Sequence, residues 1–217
     1  MTQPDLDALG ALADPTRRAV YQVVATAGPQ PVSRDEVAEA LGVGRTLAAF
    51  HLDKLVDVGL LAVSFARRTG RSGPGAGRTA KLYRRAETEH TVALPPRRYH
   101  GAAELLAEAL DRAGADQTLF AVARERGRRQ AQPGQDLLPL LAERGYEPVK
   151  DQGVVRLRNC PFHRLAEEFP PLVCGMNLAL IEGILAGAGL ASWRAATDPA
   201  PGYCCVVLSA TPAEPKH

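Results

Sequence analysis

The feature that most constrains the fold is a run of two short helices, a glycine turn and a basic hairpin in the first part of the chain. Ser33 followed by Glu36 has the spacing of a capping box, which predicts the start of the first helix. Residues 42–44 (Gly-Val-Gly) permit the left-handed backbone of a sharp turn, and a second helix is predicted at about 45–58. We therefore expect two helices that cross at a steep angle.

Further elements are predicted on both sides of this helix pair. Residues 4–12 and 15–27 have helical apolar spacing and precede the pair. Residues 60–66 alternate like an edge strand and residues 80–85 return as its partner, joined by a glycine-rich tip at 70–77. The first part of the chain thus ends in a hairpin.

Positive charge is concentrated in that hairpin. The whole chain has a net charge of only +2, but residues 67–85 contain seven Lys and Arg and no Asp or Glu. Residues 1–85 contain twelve basic and eight acidic residues, whereas residues 86–217 contain fourteen and sixteen. A stripe of one sign is typical of a surface that meets a phosphate backbone.

The segment RTLAAFHLDKLVDVGLL and the hairpin ending GRTAKLYRR resemble the winged helix-turn-helix of bacterial ArsR-type regulators, over about residues 5–86. The resemblance implies a recognition helix at 45–54 and a wing at 67–81. An arginine or threonine at the start of such a helix can reach base edges, and wing arginines can follow phosphates. The candidate DNA-binding residues are Arg45, Thr46, Ala49, His51, Lys54, Arg67, Arg68, Arg71, Arg78 and Lys81.

Two alternatives remain open for this region. Winged helices also serve as protein-interaction modules, although seven unopposed basic residues favour DNA. His51 is equally well explained as a structural histidine inside the domain. Phe50 is unusual on a helix that faces a groove, and we do not include it among the candidates.

The helical and strand patterns in the second half of the sequence predict a separate domain with helices and a small antiparallel sheet. The fold class is therefore α+β, with a winged helix-turn-helix domain at 1–88 and a sensor and dimerisation domain at 95–212. A long helix at about 98–113 carries an apolar stripe that includes Tyr99 and Leu105. We expect this helix to form a homodimer, because a palindromic operator needs two recognition helices about 34 Å apart.

Five side chains in the second half have the chemistry of a metal centre. Cys160 and His163 are close enough in sequence to bind one metal, and Cys174 falls near the start of an apolar helix, which favours a thiolate. Cys204 and Cys205 are consecutive on a predicted strand, so only one of them is expected to face the site. Asn177, one turn after Cys174, is expected to hydrogen-bond a sulfur or nearby backbone.

The run NCPFHRLAEEFPPLVCGMNLALIEGIL and the later GYCCV resemble the C-terminal domain of iron–sulfur-binding repressors of the SufR type, over about residues 95–210. The resemblance implies cluster ligands at Cys160, Cys174 and one of Cys204 and Cys205, and it implies a repressor. A clear fourth cysteine at family-like spacing is lacking, so the fourth ligand stays open.

The cofactor favoured by this pattern is a 4Fe–4S cluster, with zinc as the alternative. Thiolate zinc sites usually contain paired Cys-x-x-Cys motifs, which are absent from this sequence. A third interpretation is that the cysteines are buried free thiols. The regulator would then contain no metal and would sense a small apolar ligand or thiol oxidation.

Other classes of protein are disfavoured. No glycine-rich phosphate loop, Ser/His/Asp order or paired-carboxylate motif is present, so we expect no enzymatic activity. The start of the chain lacks the pattern of a signal peptide. The apolar run at 172–191 contains Glu182, for which we expect a paired charge at the edge of a core rather than a membrane setting. We therefore expect a cytoplasmic protein whose partner is double-stranded DNA.

Overall fold

The structure is a computed structural model that describes residues 3–28, 30–66, 79–93, 95 and 97–211. Its contacts divide the chain into two units, Met1–Arg97 and Arg98–His217. Each unit combines helices with an antiparallel sheet, which confirms the α+β fold class predicted from the sequence.

The first unit has the order of elements expected for a winged helix-turn-helix. Its sheet has the strand order β1-β3-β2, and both pairings are antiparallel. The two-residue strand β1 was not predicted, because a run so short carries no alternation. The elements are α1 (Gln3–Ala11), α2 (Pro15–Thr26), β1 (Val32–Ser33), α3 (Arg34–Leu41), α4 (Arg45–Asp57), β2 (Leu61–Ala66) and β3 (Ala80–Arg85).

Local sequence signals set the ends of these helices. The Asp14 carboxylate accepts a hydrogen bond of 2.8 Å from the Arg17 backbone N–H at the start of α2. Ser33 and Glu36 form the predicted capping box of α3. Gly42, with a φ of +63°, ends α3 in the left-handed conformation that lets α4 turn away.

One large apolar residue of α4 lies away from the inner face of the helix. Leu47 is 45% exposed. The helix period instead places a smaller side chain, Ala48, against the core of α2 and α3. The fully or nearly buried residues of α4 are Ala48, His51, Leu52 and Leu55.

The second unit contains a four-stranded antiparallel sheet with the order β4-β5-β7-β6. Its core joins this sheet to one face of the long apolar helix α9 through Ile181, Leu157 and Leu208. The elements are α5 (Tyr99–Arg112), α6 (Asp116–Arg129), α7 (Leu137–Ala142), β4 (Pro148–Asp151), β5 (Val154–Leu157), α8 (His163–Glu168), α9 (Pro170–Ala188), β6 (Trp193–Thr197) and β7 (Val206–Ala210).

Helices α6 and α9 approach unusually closely because glycines line their contact. A Cβ built on Gly183 would lie 2.0 Å from the Arg124 carbonyl oxygen, and one on Gly127 would lie 2.2 Å from the Leu180 carbonyl oxygen. At Gly175 the missing side chain leaves room for the Phe120 ring. The second unit is therefore built on backbone-to-backbone helix packing that only glycine permits.

Helix α9 is long and apolar enough to cross a membrane by length and composition alone, with a mean hydropathy of 1.6. Half of that stretch is buried within the structure, as in the core helix of a soluble protein. Glu182 on this helix accepts hydrogen bonds from the Arg124 guanidinium at 2.6 and 3.1 Å. The expectation of a paired charge at the edge of the core is thus confirmed.

Candidate functional site

The outward side of α4 carries most of the candidate DNA-binding residues that the structure describes. Arg45 and Thr46 are exposed at the first turn of the helix, and the side chain of Arg45 is 73% exposed. Ala49 is half-buried one turn later, and Lys54 is exposed near the other end. Arg67, Arg68, Arg71 and Arg78 lie outside the described residues.

The described cations of this surface are all paired with carboxylates. Arg45 Nε lies 3.3 Å from Asp35 Oδ1 and Lys54 Nζ lies 3.3 Å from Asp57 Oδ2. Both pairs are largely exposed, so each contributes little to stability and can exchange its carboxylate for another anion. Both cations therefore stay at the surface, where an anionic partner can reach them.

A third pair connects α4 to the wing hairpin. Lys81 Nζ on β3 lies 2.6 Å from Asp53 Oδ1, and the Tyr83 hydroxyl donates a 3.1 Å hydrogen bond to the same oxygen. The hydrogen bond from Lys81 lowers the pKa of Asp53, and the same bond raises the pKa of Lys81. Asp53 therefore ties β3 of the hairpin to α4.

The placement of His51 corrects the sequence analysis. His51 is only 5% exposed and lies on the inner side of α4, where the Arg17 Nε–H donates to its Nδ1 at 3.5 Å. A ring in that position cannot reach a base edge. Of the two interpretations left open, the structural histidine is the one that fits.

Two apolar residues of the outward side were missed by sequence reasoning. Phe50 is 52% exposed and Leu47 is 45% exposed. The Phe50 ring meets the His51 ring edge to face, with centroids 5.3 Å apart. The helix period itself was the available signal, because it places position 50 on the same side as Thr46 and Asp53.

The four cysteines come together in the second unit. Cys160 follows β5, Cys174 lies in α9, and Cys204 and Cys205 immediately precede β7. Cys160, Cys204 and Cys205 belong to the same core cluster. The pKa of Cys204 responds to Cys160 and Cys205, and the pKa of Cys205 also responds to Cys174. The four thiols are therefore near neighbours.

The expectation that only one of Cys204 and Cys205 faces the site is wrong. It assumed an extended strand, in which consecutive side chains alternate, but β7 begins only at Val206. Cys204 and Cys205 lie in the bend before it, where the Cys204 backbone N–H donates to the Leu157 carbonyl at 2.7 Å. Without strand alternation, both sulfurs reach the same side.

A buried polar chain ends on Cys204. The Tyr146 hydroxyl donates a 2.6 Å hydrogen bond to Asn177 Oδ1, and Asn177 Nδ2 donates to Cys204 Sγ at 3.3 Å. Asn177 is fully buried and Tyr146 is 1% exposed. The hydrogen bond expected from Asn177 to a sulfur is therefore present.

Hydrogen bonds decide which sulfur carries negative charge most readily. Donation from Cys160, then from Cys205, lowers the pKa of Cys204, with further donation from the Val206 backbone and Asn177. Those same bonds raise the pKa values of Cys160 and Cys205. Burial raises the pKa of Tyr146. These hydrogen bonds therefore favour the charged form at Cys204 over Cys160 and Cys205.

His163 does not join the sulfurs. Its side chain is 64% exposed, and Nε2 lies 3.3 Å from Glu167 Oε1 on the next turn of α8. Only its backbone N–H approaches the site, donating to the Cys160 carbonyl at 3.0 Å. His163 is therefore no longer a candidate ligand. With both Cys204 and Cys205 beside Cys160 and Cys174, a cysteine fills the position of the fourth ligand.

A second group of side chains with potential metal ligands lies between α5 and α8. The donor atoms of His100, Glu104 and Glu168 lie within 4.8 Å of one another. His100 Nε2 lies 2.7 Å from Glu104 Oε1, four residues along α5. We assign the pair to the stability of α5, since such ion pairs are common on helix surfaces.

A groove beside the end of α9 bears on the alternative of an apolar ligand. It has a volume of about 340 Å³ and is open to solvent, with both apolar and charged lining. Trp193 and Leu190 supply apolar surface, whereas Glu182 and Arg194 supply charge. A small apolar ligand would need an enclosed apolar cavity, and this groove is neither enclosed nor purely apolar.

A comparison with protein families matches residues 12–64 to a helix-turn-helix domain. The match begins before α2 and extends into β2, so it includes α3, α4 and the start of the hairpin. It supports a DNA-binding transcription regulator. A comparison with curated proteins gave no match.

Proposed function

We propose that the protein is a homodimeric transcription repressor whose affinity for its operator is controlled by an iron–sulfur cluster held by the four cysteines. The observation that carries this proposal is the grouping of Cys160, Cys174, Cys204 and Cys205 in a protein that also contains a helix-turn-helix domain. In this proposal the helix-turn-helix domain binds the operator, and the four thiols hold the cluster that responds to the signal.

The DNA-binding part of the proposal rests on the outward side of α4. Arg45 and Thr46 stand at the N-terminal end of the helix, which is the end that such helices direct at base edges. The Asp53 link to Lys81 positions β3 beside that helix. Helix and hairpin are thus held in one fixed arrangement for a single duplex.

The donor set fits an iron–sulfur cluster, because such clusters are held by four cysteine thiolates. A tetrahedral zinc ion would draw thiolates to about 3.8 Å from one another, given Zn–S bonds of about 2.3 Å. Among the described residues, no three cysteine sulfurs lie within 4.8 Å of one another. The sulfurs are therefore not gathered as tightly as a tetrahedral zinc ion requires.

In this proposal Cys160, Cys174, Cys204 and Cys205 hold the cluster, which supplies an oxidant-sensitive redox centre when bound. Asn177 keeps its amide N–H on Cys204 and so orients that sulfur. The ligands belong to a loop, a helix and the approach to a strand, so the bound state links three parts of the second unit.

Helix α5 is the proposed dimer element. Tyr99, Leu105 and Leu106 are 77%, 69% and 66% exposed, which is unusual for large apolar side chains on one helix. A second copy of the same helix would cover them. A homodimer also matches the twofold operators that winged-helix regulators bind.

A metal-free thiol sensor is the second candidate function. It is favoured by the neighbouring sulfur pairs Cys160–Cys204 and Cys205–Cys174, which are close enough to interact in the reduced state. The same regulator would then respond to oxidation of thiols rather than to loss of a cluster.

Anaerobic purification followed by iron and zinc analysis and an absorption spectrum separates these candidates. The proposal predicts iron, sulfide and a broad absorption near 400 nm, with all three lost in the variants Cys160→Ser, Cys174→Ser, Cys204→Ser and Cys205→Ser. Stoichiometric zinc, or thiols that stay metal-free after reconstitution with iron and sulfide, would reject the cluster. Salt-sensitive binding of a duplex pool tests the DNA-binding part separately.

A further inference from the structure

An apolar patch lies on the surface that the proposed function turns towards DNA. Phe50 and Leu47, three residues apart on α4, are 52% and 45% exposed. The solvent side of a surface helix is normally polar, and two neighbouring large apolar side chains indicate a contact surface. Neither side chain is needed to complete the core of the first unit, which is formed by the opposite side of α4.

The Phe50 ring is held in place before any partner binds. Its edge-to-face contact with His51 has an interplanar angle of 70°. His51 is in turn buried and accepts the hydrogen bond from Arg17. Less conformational entropy is therefore lost when the ring enters an interface.

The charges beside the patch identify the partner. Arg45 and Lys54, on the same helix, are 73% and 51% exposed. An apolar protein partner would leave these cations without a suitable environment. A duplex provides phosphates for both, and its major groove has one apolar feature, which is the methyl group of thymine.

We propose that Phe50, with Leu47 beside it, determines operator specificity by apolar contact with thymine methyl groups in the major groove. This proposal rests on the proposed DNA-binding function. It explains why an aromatic residue stands where a polar contact was expected, and it assigns the operator at least one thymine in each half-site opposite Phe50.

The test uses the full-length protein, purified anaerobically, and a duplex selected by it from a random pool. Each thymine of the selected site is replaced in turn by deoxyuridine, which removes only the methyl group. Fluorescence anisotropy then gives the dissociation constant for each duplex. For the unaltered protein we expect about a fourfold loss of affinity per contacted methyl, and about fifteenfold when both half-sites are changed.

The variants Phe50→Ala and Phe50→Leu complete the test. Phe50→Ala is expected to bind thymine and deoxyuridine duplexes equally, and Phe50→Leu to retain part of the difference. Val122→Ala, which removes an exposed apolar side chain from the second unit, is the matched control and should keep the full difference. The deoxyuridine series with the unaltered protein does not depend on how any variant folds.

The possible outcomes separate failure of the thymine contact from failure of the proposed DNA-binding function. Salt-sensitive binding of a selected duplex with no effect of deoxyuridine at any position overturns the thymine contact and leaves DNA binding intact. An effect that persists in Phe50→Ala assigns the contact to another residue and also overturns it. Failure of the unaltered protein to bind any duplex overturns both.

Discussion

The amide of Asn177 donates a hydrogen bond to the sulfur of Cys204, with 3.3 Å between Nδ2 and Sγ. Asn177 lies on α9 and is fully buried, and Cys204 lies just before β7. The bond therefore joins the core helix to the sheet at the point where the four sulfurs meet. It also leaves the Asn177 carbonyl oxygen to accept from Tyr146.

Replacing Asn177 by leucine should destabilise the second unit by about 1–3 kcal/mol, because the buried Tyr146 hydroxyl loses its acceptor. Trp193, the single tryptophan, lies in this unit, so its fluorescence during urea unfolding gives the free energy. In the double variant with Tyr146→Phe most of that loss should be recovered. Equal stability of Asn177→Leu and the unaltered protein would show that the buried chain contributes nothing.

Gly183→Ala should lower the free energy of unfolding of the second unit by about 1–3 kcal/mol or more. Its Cβ would meet the Arg124 carbonyl oxygen at 2.0 Å, so α6 and α9 must move apart. The control is Gly101→Ala on α5, where the new Cβ meets only the flexible Glu104 side chain at 3.8 Å. That variant should be as stable or slightly more stable. Similar urea midpoints for both variants would contradict the close packing.

The Asp53 carboxyl should titrate below the ordinary value of about 3.9, because Lys81 and Tyr83 hydrogen-bond to its charged form. The stability contributed by this link is present above that ordinary value and is lost as the pH falls through the lowered pKa. Both side chains are substantially exposed, so the contribution is small. Carboxyl carbon NMR of Lys81→Met should show the Asp53 pKa rising, whereas Arg84→Met should leave it unchanged.

His163→Ala should bind as much iron as the unaltered protein. The imidazole is exposed and paired with Glu167, so its removal leaves the four sulfurs in place. Iron analysis and the absorption spectrum after anaerobic reconstitution check this, with Cys204→Ser as the variant that should lose both. Loss of iron in His163→Ala would restore the histidine to the ligand set.

Much of the fold follows from local signals in the sequence. The capping box of Ser33 and Glu36, the Gly42 turn and the apolar period of α9 each act within a few residues, so they predict element type and position. The gathering of Cys160, Cys174 and Cys204 was also anticipated, because their residue types suggested one centre.

The errors came from tertiary relationships that local patterns do not contain. Whether Cys205 shares a side with Cys204 depends on where β7 begins, which its pairing with β5 and β6 decides. The burial of His51 depends on Arg17 of a different helix. The pairing of His163 with Glu167 left its ring on the solvent side of α8, although its sequence distance from Cys160 suits a shared metal.

In the proposed function, the sulfur site of the second unit is coupled to α4 of the first unit. The most direct measurement is the dissociation constant for a selected duplex, determined anaerobically at one salt concentration for the iron-loaded protein, the metal-free protein and Cys204→Ser. Such coupling predicts a difference of about 5- to 150-fold between the loaded and metal-free forms, with Cys204→Ser fixed at the metal-free value. The same affinity in all three preparations would contradict it.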